Sequence, residues 1–212
     1  MIRRLSRLLS LTALMVGSIA LADEDYEASD PIAAVDGQPI YFGELNLVLA
    51  ERVGADKLKQ VGIDVQRATA LLLIRRRLAM RSLQESGGEA LQSVIEQKLN
   101  ARNTELRRRG SSLIKYAEAR MADEKSLAAD LTWKVAWGQY VKSKLTNENL
   151  RRYFDKHSDR YGGNFQDLTD QAKLRREATN ALFDTLVRRQ KDSTIQWFVP
   201  TLSPPDSIPI IP

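Results

Sequence analysis

Apolar residues recur every three to four positions over most of the chain, which is the spacing of amphipathic α-helices. The breaks between these stretches fall at glycines or at capping residues such as Asp64, Asp123 and Thr146. Residues 70–74 are apolar on all sides, which indicates a helix buried against several neighbours. We predict helices at residues 42–53, 64–86, 89–109, 113–120, 123–145, 148–155 and 167–191.

Two segments near opposite ends of this helical region have the composition of strands. Residues 32–35 and 38–40 flank Asp36-Gly37, a pair favoured in tight hairpin turns because both turn positions take positive φ. Residues 195–199, IQWFV, are the other candidate strand. An isolated two-stranded hairpin is only marginally stable. We therefore expect residues 195–199 to pair with the hairpin; the alternative leaves both segments as separate edge pieces.

These elements predict a mainly α fold, in which a multi-helix domain carries a small β element that joins its first and last strands. The domain spans residues 32–199. Residues 23–31 are acidic and polar and predict a flexible lead-in. Residues 200–212 contain five prolines, which predicts an extended tail.

The predicted helix at 123–145 carries two sets of apolar positions. One stripe lies at steps of three or four residues and predicts the buried face: Leu127, Leu131, Val135, Gly138, Val141 and Leu145. The other set is Trp133, Trp137 and Tyr140, which lie on a different side of the helix. Either the helix is covered by neighbours on both sides, or the aromatic row is an exposed patch that binds peptide.

The first 22 residues have the pattern of an export signal. Arg3, Arg4 and Arg7 precede an apolar run from residue 8 to 20, and Ala20-Leu21-Ala22 has the small-x-small pattern of a cleavage site. The alternative, an uncleaved anchor, needs about 20 apolar residues to span a bilayer. We predict cleavage after Ala22 and a soluble exported product with no stable membrane span, periplasmic if the source is a diderm bacterium.

The composition excludes several classes of function. Without the three arginines of residues 1–22, which contain no acid, 29 basic face 27 acidic residues, and this balance gives no electrostatic footprint for nucleic acid. The chain has no cysteine and a single histidine, so it lacks the ligands for a tetrahedral zinc site and the thiol for cysteine catalysis. No phosphate-binding glycine motif is present. We expect no cofactor, no metal and no catalytic centre.

Several charged residues invite functional readings that we set aside. His157 is followed by Ser158 and Asp159, but triad partners normally meet from distant positions, so we expect a surface histidine. Acids at helix starts, such as Asp123, are stabilised by the helix dipole. The arginine runs at 75–77 and 107–109 lie among acids and predict solvated helix faces rather than a nucleic-acid patch.

Three motifs, in order along the chain, resemble one family. Residues 33–40, AAVDGQPI, resemble the V-V-N-G-x-P-I opening of SurA-like periplasmic chaperones and parvulin-type foldases. Residues 70–79, ALLLIRRRLA, are similar to the L-x-x-L-I-x-x-x-L second helix of that family. Residues 145–154, LTNENLRRYF, with Arg160-Tyr161, resemble the V-T-x-x-E-L-x-x-Y-Y segment before its parvulin domain.

The resemblance implies a chaperone core without its catalytic insert. In the family, N-terminal helices and a C-terminal helix form the core, and isomerase domains of about 90 residues are inserted between them. Here only Gly162-Gly163-Asn164 separate Tyr161 from Phe165. The parvulin site uses paired histidines, and His157 is alone.

We therefore expect an ATP-independent holdase that binds unfolded or partly folded exported proteins, with Trp133, Trp137 and Tyr140 as candidate peptide-binding residues. Two alternatives from other classes remain. One is a peptidyl-prolyl cis-trans isomerase of the same family. The other is an adaptor that binds one dedicated envelope protein.

Overall fold

A computed structural model describes residues 26–161, 163–168, 170–205 and 209–211, so the predicted export signal lies outside the described residues. The protein is mainly helical with a small antiparallel sheet, as predicted. No helix among the described residues has the length and apolarity needed to cross a membrane. The strands are β1 (Pro31–Val35), β2 (Gln38–Tyr41) and β3 (Ile195–Trp197); the helices are α1 (Phe42–Val53), α2 (Ile63–Arg108), α3 (Leu113–Glu118), α4 (Glu124–Lys144), α5 (Asn147–Lys156) and α6 (Gln171–Arg188).

The sheet joins the two ends of the domain. Its order is β2-β1-β3 with both pairings antiparallel, and Ala33 lies opposite Trp197 while Val35 lies opposite Ile195. The β1–β2 turn is Asp36-Gly37, with φ of 49° and 77°. The predicted pairing of the terminal strand with the hairpin is therefore confirmed.

Asp36 links this turn to the segment that leads into β3. Its carboxylate accepts a hydrogen bond from the Thr194 backbone N–H at 2.8 Å. That bond is the main reason why the pKa of Asp36 lies below its usual value of 3.8. A depressed pKa contributes stability that is present above the unfolded-state pKa and is lost as pH falls through the folded-state pKa.

Asp36→Asn should remove this pH dependence while keeping the turn, because Asn also tolerates positive φ. At pH 7 the variant should lose roughly 0.5–1 kcal/mol, since the bond is near the surface. The difference in melting temperature between variant and parent should shrink as pH falls from 5 to 2. A difference that is constant over this range would contradict the assigned role of the carboxylate.

The helix boundaries correct two of the predictions. α2 begins at Ile63 after Gly62, not after Asp64, which lies in the first turn and pairs with Arg67 at 2.8 Å. α6 begins at Gln171, because the Asp170 side chain accepts from the Lys173 backbone N–H and caps the helix there. The capping predicted for α4 and α5 is confirmed, with Asp123 and Thr146 as the acceptors.

A kink divides α2 into two arms. Gly88 has φ of 51° and ψ of −147°, far from helical values, so residues 63–87 and 89–108 are two helical arms, as the Gly87-Gly88 pair predicts. The first arm carries Ile74 and Leu78, both fully buried, at the centre of the domain. The sequence pattern of an all-apolar helix here is explained by neighbours on several sides: the sheet, α1, α4 and α6.

Three apolar clusters form the interior. The main cluster joins β1, β2, α1, α2, α4 and the C-terminal half of α6. A second cluster joins α5 to the N-terminal half of α6 and contains Leu150, Phe154, Tyr161, Leu174 and Ala178. A third, between α1, α3 and α4, contains Leu47, Ala117, Ala122 and Leu127. α6 therefore connects the main cluster to the second one.

The described parts of both flanking segments pack against the domain, in contrast to the predicted flexible lead-in and extended tail. Tyr26 stacks on Phe42 with ring centroids 4.2 Å apart, and backbone hydrogen bonds tie Ala28 and Asp30 to the start of α1. Beyond β3, residues 200–202 form a 3-10 turn whose Leu202 is only 1% exposed. Buried apolar side chains hold these segments against the domain, although their composition is polar or rich in proline. The packed domain therefore extends past residue 199.

Gly43 of α1 lies close to Ser126 of α4. A Cβ atom at Gly43 would lie 2.9 Å from the Ser126 Cβ and 3.1 Å from the Ala28 carbonyl oxygen, and would also overlap the Ser126 Oγ. Gly138, on an exposed part of α4, has nothing within 4 Å of the same position.

Gly43→Ala should therefore lower the free energy of unfolding by about 1–3 kcal/mol through overpacking. Gly138→Ala, the matched control, should raise it by up to about 1 kcal/mol because alanine is the better helix former. Urea unfolding of both variants measures the two effects. Equal changes in the same direction would show that α1 and α4 are not in close contact at Gly43.

Candidate peptide-binding surface

The candidate residues Trp133, Trp137 and Tyr140 form a stacked row along α4. The Trp133 and Trp137 rings have centroids 5.5 Å apart with 10° between their planes, and Tyr140 continues the row 5.9 Å beyond Trp137. Phe183 of α6 meets both indoles edge-on, at 5.8 and 5.7 Å. The row therefore forms a contact between α4 and α6.

Burial differs along this row. Trp133 is 9% exposed and belongs to the main cluster, whereas Trp137 and Tyr140 are half-buried at its edge. Leu127, on another side of α4, packs in the third cluster, so α4 is covered on two sides. The alternative of an exposed aromatic row is therefore wrong for Trp133. Trp137 and Tyr140 keep accessible ring surface, and their part in peptide binding stays a prediction.

The buried face of α4 differs from the predicted stripe because it contains a charge. Asp130 is 5% exposed; its Oδ2 lies 2.6 Å from the Lys134 Nζ, and its Oδ1 lies 3.5 Å from the Arg76 guanidinium. Because this carboxylate belongs to the buried face, the spacing of apolar residues alone does not identify that face. Of the predicted stripe, only Leu127 is buried, Gly138 is exposed, and four residues are half-buried: Leu131, Val135, Val141 and Leu145.

The arginine run of α2 is not the solvated face that the sequence predicted. Successive residues of a helix point about 100° apart, so the three side chains reach three different elements. Arg75 pairs with Asp184 of α6 at 2.5 Å, Arg76 with Asp130 of α4, and Arg77 with Glu44 of α1 at 3.0 Å. These three ion pairs connect α2 to three other helices.

Burial shifts the pKa values of these groups. It raises the pKa of Glu44 more than Arg77 lowers it, and it lowers the pKa of Arg76 despite the nearby Asp130. Burial alone would lower the pKa of Lys134, but its hydrogen bonds to Asp130 and Glu51 raise it. Removing one partner of such a pair would leave an uncompensated charge, so these residues are structural.

A shallow cleft opens beside the aromatic row. It has a volume of about 200 Å³ and is bordered by Arg76, Trp137 and Phe183 together with Asn180 of α6. The Arg76 guanidinium carbon lies 5.7 Å from the centroid of the Trp133 ring, and that of Arg75 lies 5.2 Å from the centroid of Phe183. The cleft therefore combines aromatic faces with positive charge.

Asn180 also borders a much larger groove, so the cleft and the groove adjoin. The groove has a volume of about 960 Å³ and runs between α6 on one side and α5 with the end of α4 on the other. Half-buried apolar side chains line its walls: Leu145, Tyr153, Ala181 and Leu182. Charged side chains stand around them on both helices.

Sequence reasoning missed this groove, because its α6 residues lie on the polar face of the helix. Glu177, Ala181, Asp184 and Arg188 recur at steps of three or four residues, a pattern that resembles a solvated face. A different pattern along α6 could have indicated the groove. Leu174 lies about three turns and Ala178 about two turns before Leu186, and both belong to another cluster, which indicates a helix that leaves one core for another.

His157 lies in the wall of the groove and is half-buried, not simply a surface residue as predicted. Its ring packs on Tyr153 with centroids 4.5 Å apart. Among the described residues no side-chain hydrogen bond joins it to Ser158 or Asp159, and no cluster of potential metal ligands occurs in this part of the chain.

No protein-family model, curated protein or solved structure matches the chain. The resemblance to SurA-like chaperones therefore remains a prediction, based on residues 33–40, 70–79 and 145–161.

Proposed function

We propose that the protein is an ATP-independent chaperone, a holdase that binds unfolded exported polypeptides. The observation that carries the proposal is the open groove of about 960 Å³ along α6. Its α6 wall runs from Lys173 to Arg188, about 22 Å at 1.5 Å per residue. This length accommodates about six to seven residues of an extended chain.

The chemistry of the walls suits a chain without a fixed sequence. Apolar side chains such as Leu145 and Leu182 can contact side chains of the client, while an exposed polar group such as the Asn180 amide can bind its unsatisfied backbone. Apolar contact is non-directional and contributes about 25 cal/mol for each Å² buried. Many segments could therefore bind with similar, moderate affinity.

The deciding experiment is suppression of aggregation of an unfolded outer-membrane protein, measured by light scattering with no nucleotide added. The parent should suppress aggregation in proportion to its concentration. Ala181→Trp fills the groove and should reduce suppression at least fivefold. Ala128→Trp, at an exposed position of α4, is the matched control and should behave like the parent.

Two outcomes would replace the proposal. Unchanged aggregation, with one stoichiometric partner recovered from an envelope extract, would favour the adaptor. Acceleration of proline isomerisation in a tetrapeptide, at catalytic concentrations, would favour the isomerase.

A further inference from the structure

Basic side chains outnumber acidic ones in the groove along α6. Five basic side chains line it: Lys144, Lys156, Arg160, Lys173 and Arg188. Two acidic side chains, Glu177 and Asp184, lie in the same walls. Since the chain from residue 23 onward is close to neutral, this excess of positive charge is local to the groove.

The two acids are already engaged by protein groups. Glu177 accepts a hydrogen bond from the Tyr161 hydroxyl at 2.6 Å, and Asp184 pairs with Arg75 of α2. Burial of Tyr161 and, to a smaller extent, this hydrogen bond raise the pKa of that hydroxyl. The Arg75 guanidinium offsets the charge of Asp184, whereas the neutral Tyr161 hydroxyl does not offset that of Glu177, so the bases of the groove still outnumber its acids.

The five bases, in contrast, form no ion pair with any described residue. Lys173 lies over the face of the Tyr161 ring, its Nζ 5.6 Å from the centroid, and the Lys144, Lys156, Arg160 and Arg188 side chains are exposed. A concave surface lined by one sign of charge concentrates oppositely charged ligands. The ligand that complements the groove therefore carries negative charge.

Apolar side chains lie between these bases. Tyr153 and Leu145 project from one wall, and Ala181 and Leu182 from the other. A ligand made only of charged groups would leave these side chains without partners. A peptide that alternates acidic and apolar residues in an extended conformation would meet both, because successive side chains of an extended chain point to opposite sides.

We infer that the groove between α5 and α6 selects acidic segments of client polypeptides that also contain apolar residues. The inference rests on the proposed function, since it names the segments that the holdase would capture first. It favours a peptide over a nucleic acid because Leu145, Ala181 and Leu182 line the walls, and a phosphate backbone has no apolar side chains to contact them.

The first test uses the unmodified protein and two fluorescent ten-residue peptides. Both alternate Leu or Phe with a charged residue, which is Glu in one peptide and Lys in the other. Fluorescence anisotropy at 50 mM salt should show at least tenfold tighter binding of the Glu peptide, and the difference should fall below threefold at 500 mM salt. Equal affinities at 50 mM salt, or tighter binding of the Lys peptide, would overturn the inference.

The second test places the binding in the groove. The triple variant Lys156→Glu, Arg160→Glu and Arg188→Glu should bind the Glu peptide at least tenfold more weakly. The matched control reverses three exposed lysines outside the groove, Lys57→Glu, Lys59→Glu and Lys98→Glu, and should bind within twofold of the parent. An equal loss in both triple variants would show a nonspecific charge effect and contradict the site. If thermal melting shows that the groove variant is unfolded, the corresponding Gln variants replace it, with at least a threefold loss expected.

Two readouts separate this inference from the proposed function. Suppression of aggregation that survives in the groove variant, together with equal affinity for the two peptides, would support the holdase and refute the acidic selection. Tight binding of the Glu peptide without any suppression would support the acidic site and refute the holdase. A single-stranded oligonucleotide that binds more tightly than the Glu peptide would overturn the assignment of a peptide ligand.

Discussion

Removing residues 194–212 should lower the free energy of unfolding by at least about 5 kcal/mol, which is enough to unfold many domains of this size. The truncation removes β3 and with it one of the two partners of β1. It also removes Val199 and Leu202, both buried in the main cluster, whose burial contributes about 1.5–3 kcal/mol each. The Asp36 carboxylate would lose the Thr194 N–H as well.

Circular dichroism and urea unfolding of the truncated protein measure this loss. A shorter truncation after Pro205 is the control, because it keeps β3 and the 3-10 turn of residues 200–202. The control should remain folded, with a loss limited to the contacts of Ile210 and Ile211, which are only partly buried. If both truncations melt at the same temperature as the parent, the pairing of β1 with β3 contributes nothing to stability.

Trp133→Ala should cost about 3–5 kcal/mol, the usual loss when a buried aromatic side chain leaves a cavity. Trp133 is almost fully buried between α2, α4 and α6, and it contacts the Trp137 and Phe183 rings. It also lies under the Arg76 guanidinium, whose pairing with Asp130 depends on the same packing. Tyr140→Ala should cost less than half as much because Tyr140 is half-buried at the edge of the row.

Urea unfolding of the two variants gives this comparison, and peptide binding on the same samples shows whether the row has a second role. We expect Trp133→Ala to affect binding only through loss of folded protein. Tyr140→Ala should leave the protein folded, so any loss of client binding would be direct. If Trp133→Ala and Tyr140→Ala lowered the free energy of unfolding equally, the two side chains would contribute equally to packing, which would contradict their difference in burial.

The elements that the sequence predicted well are those decided by local chemistry. The Asp36-Gly37 turn, the caps at Asp123 and Thr146, and the break at Gly88 each follow from side-chain hydrogen bonding or from a positive φ. The pairing of β3 was also predictable, since a hairpin that is marginal alone had only one other strand available.

The parts that could not be predicted depend on charges inside the structure. Asp130 stands in the buried face of α4, and Arg76 and Arg77 leave α2 toward buried acids. Each of these residues would be assigned to solvent by its residue type. These charged residues pair because their helices lie next to each other, and the sequence does not show which helices are neighbours. The same holds for the groove, since nothing in the sequence places α5 opposite the polar face of α6.

The order of the strands has a consequence for biosynthesis. β1 lies in the centre of the sheet, and one of its neighbours is β2, which follows at once, whereas the other is β3, some 160 residues further along the chain. Contacts so distant in sequence form late and slow folding. While the chain is being made from its N-terminus, β1 therefore presents an unpaired edge, and that edge is open to pairing with other chains. The nascent chain is therefore open to aggregation at this edge until its last strand has been synthesised.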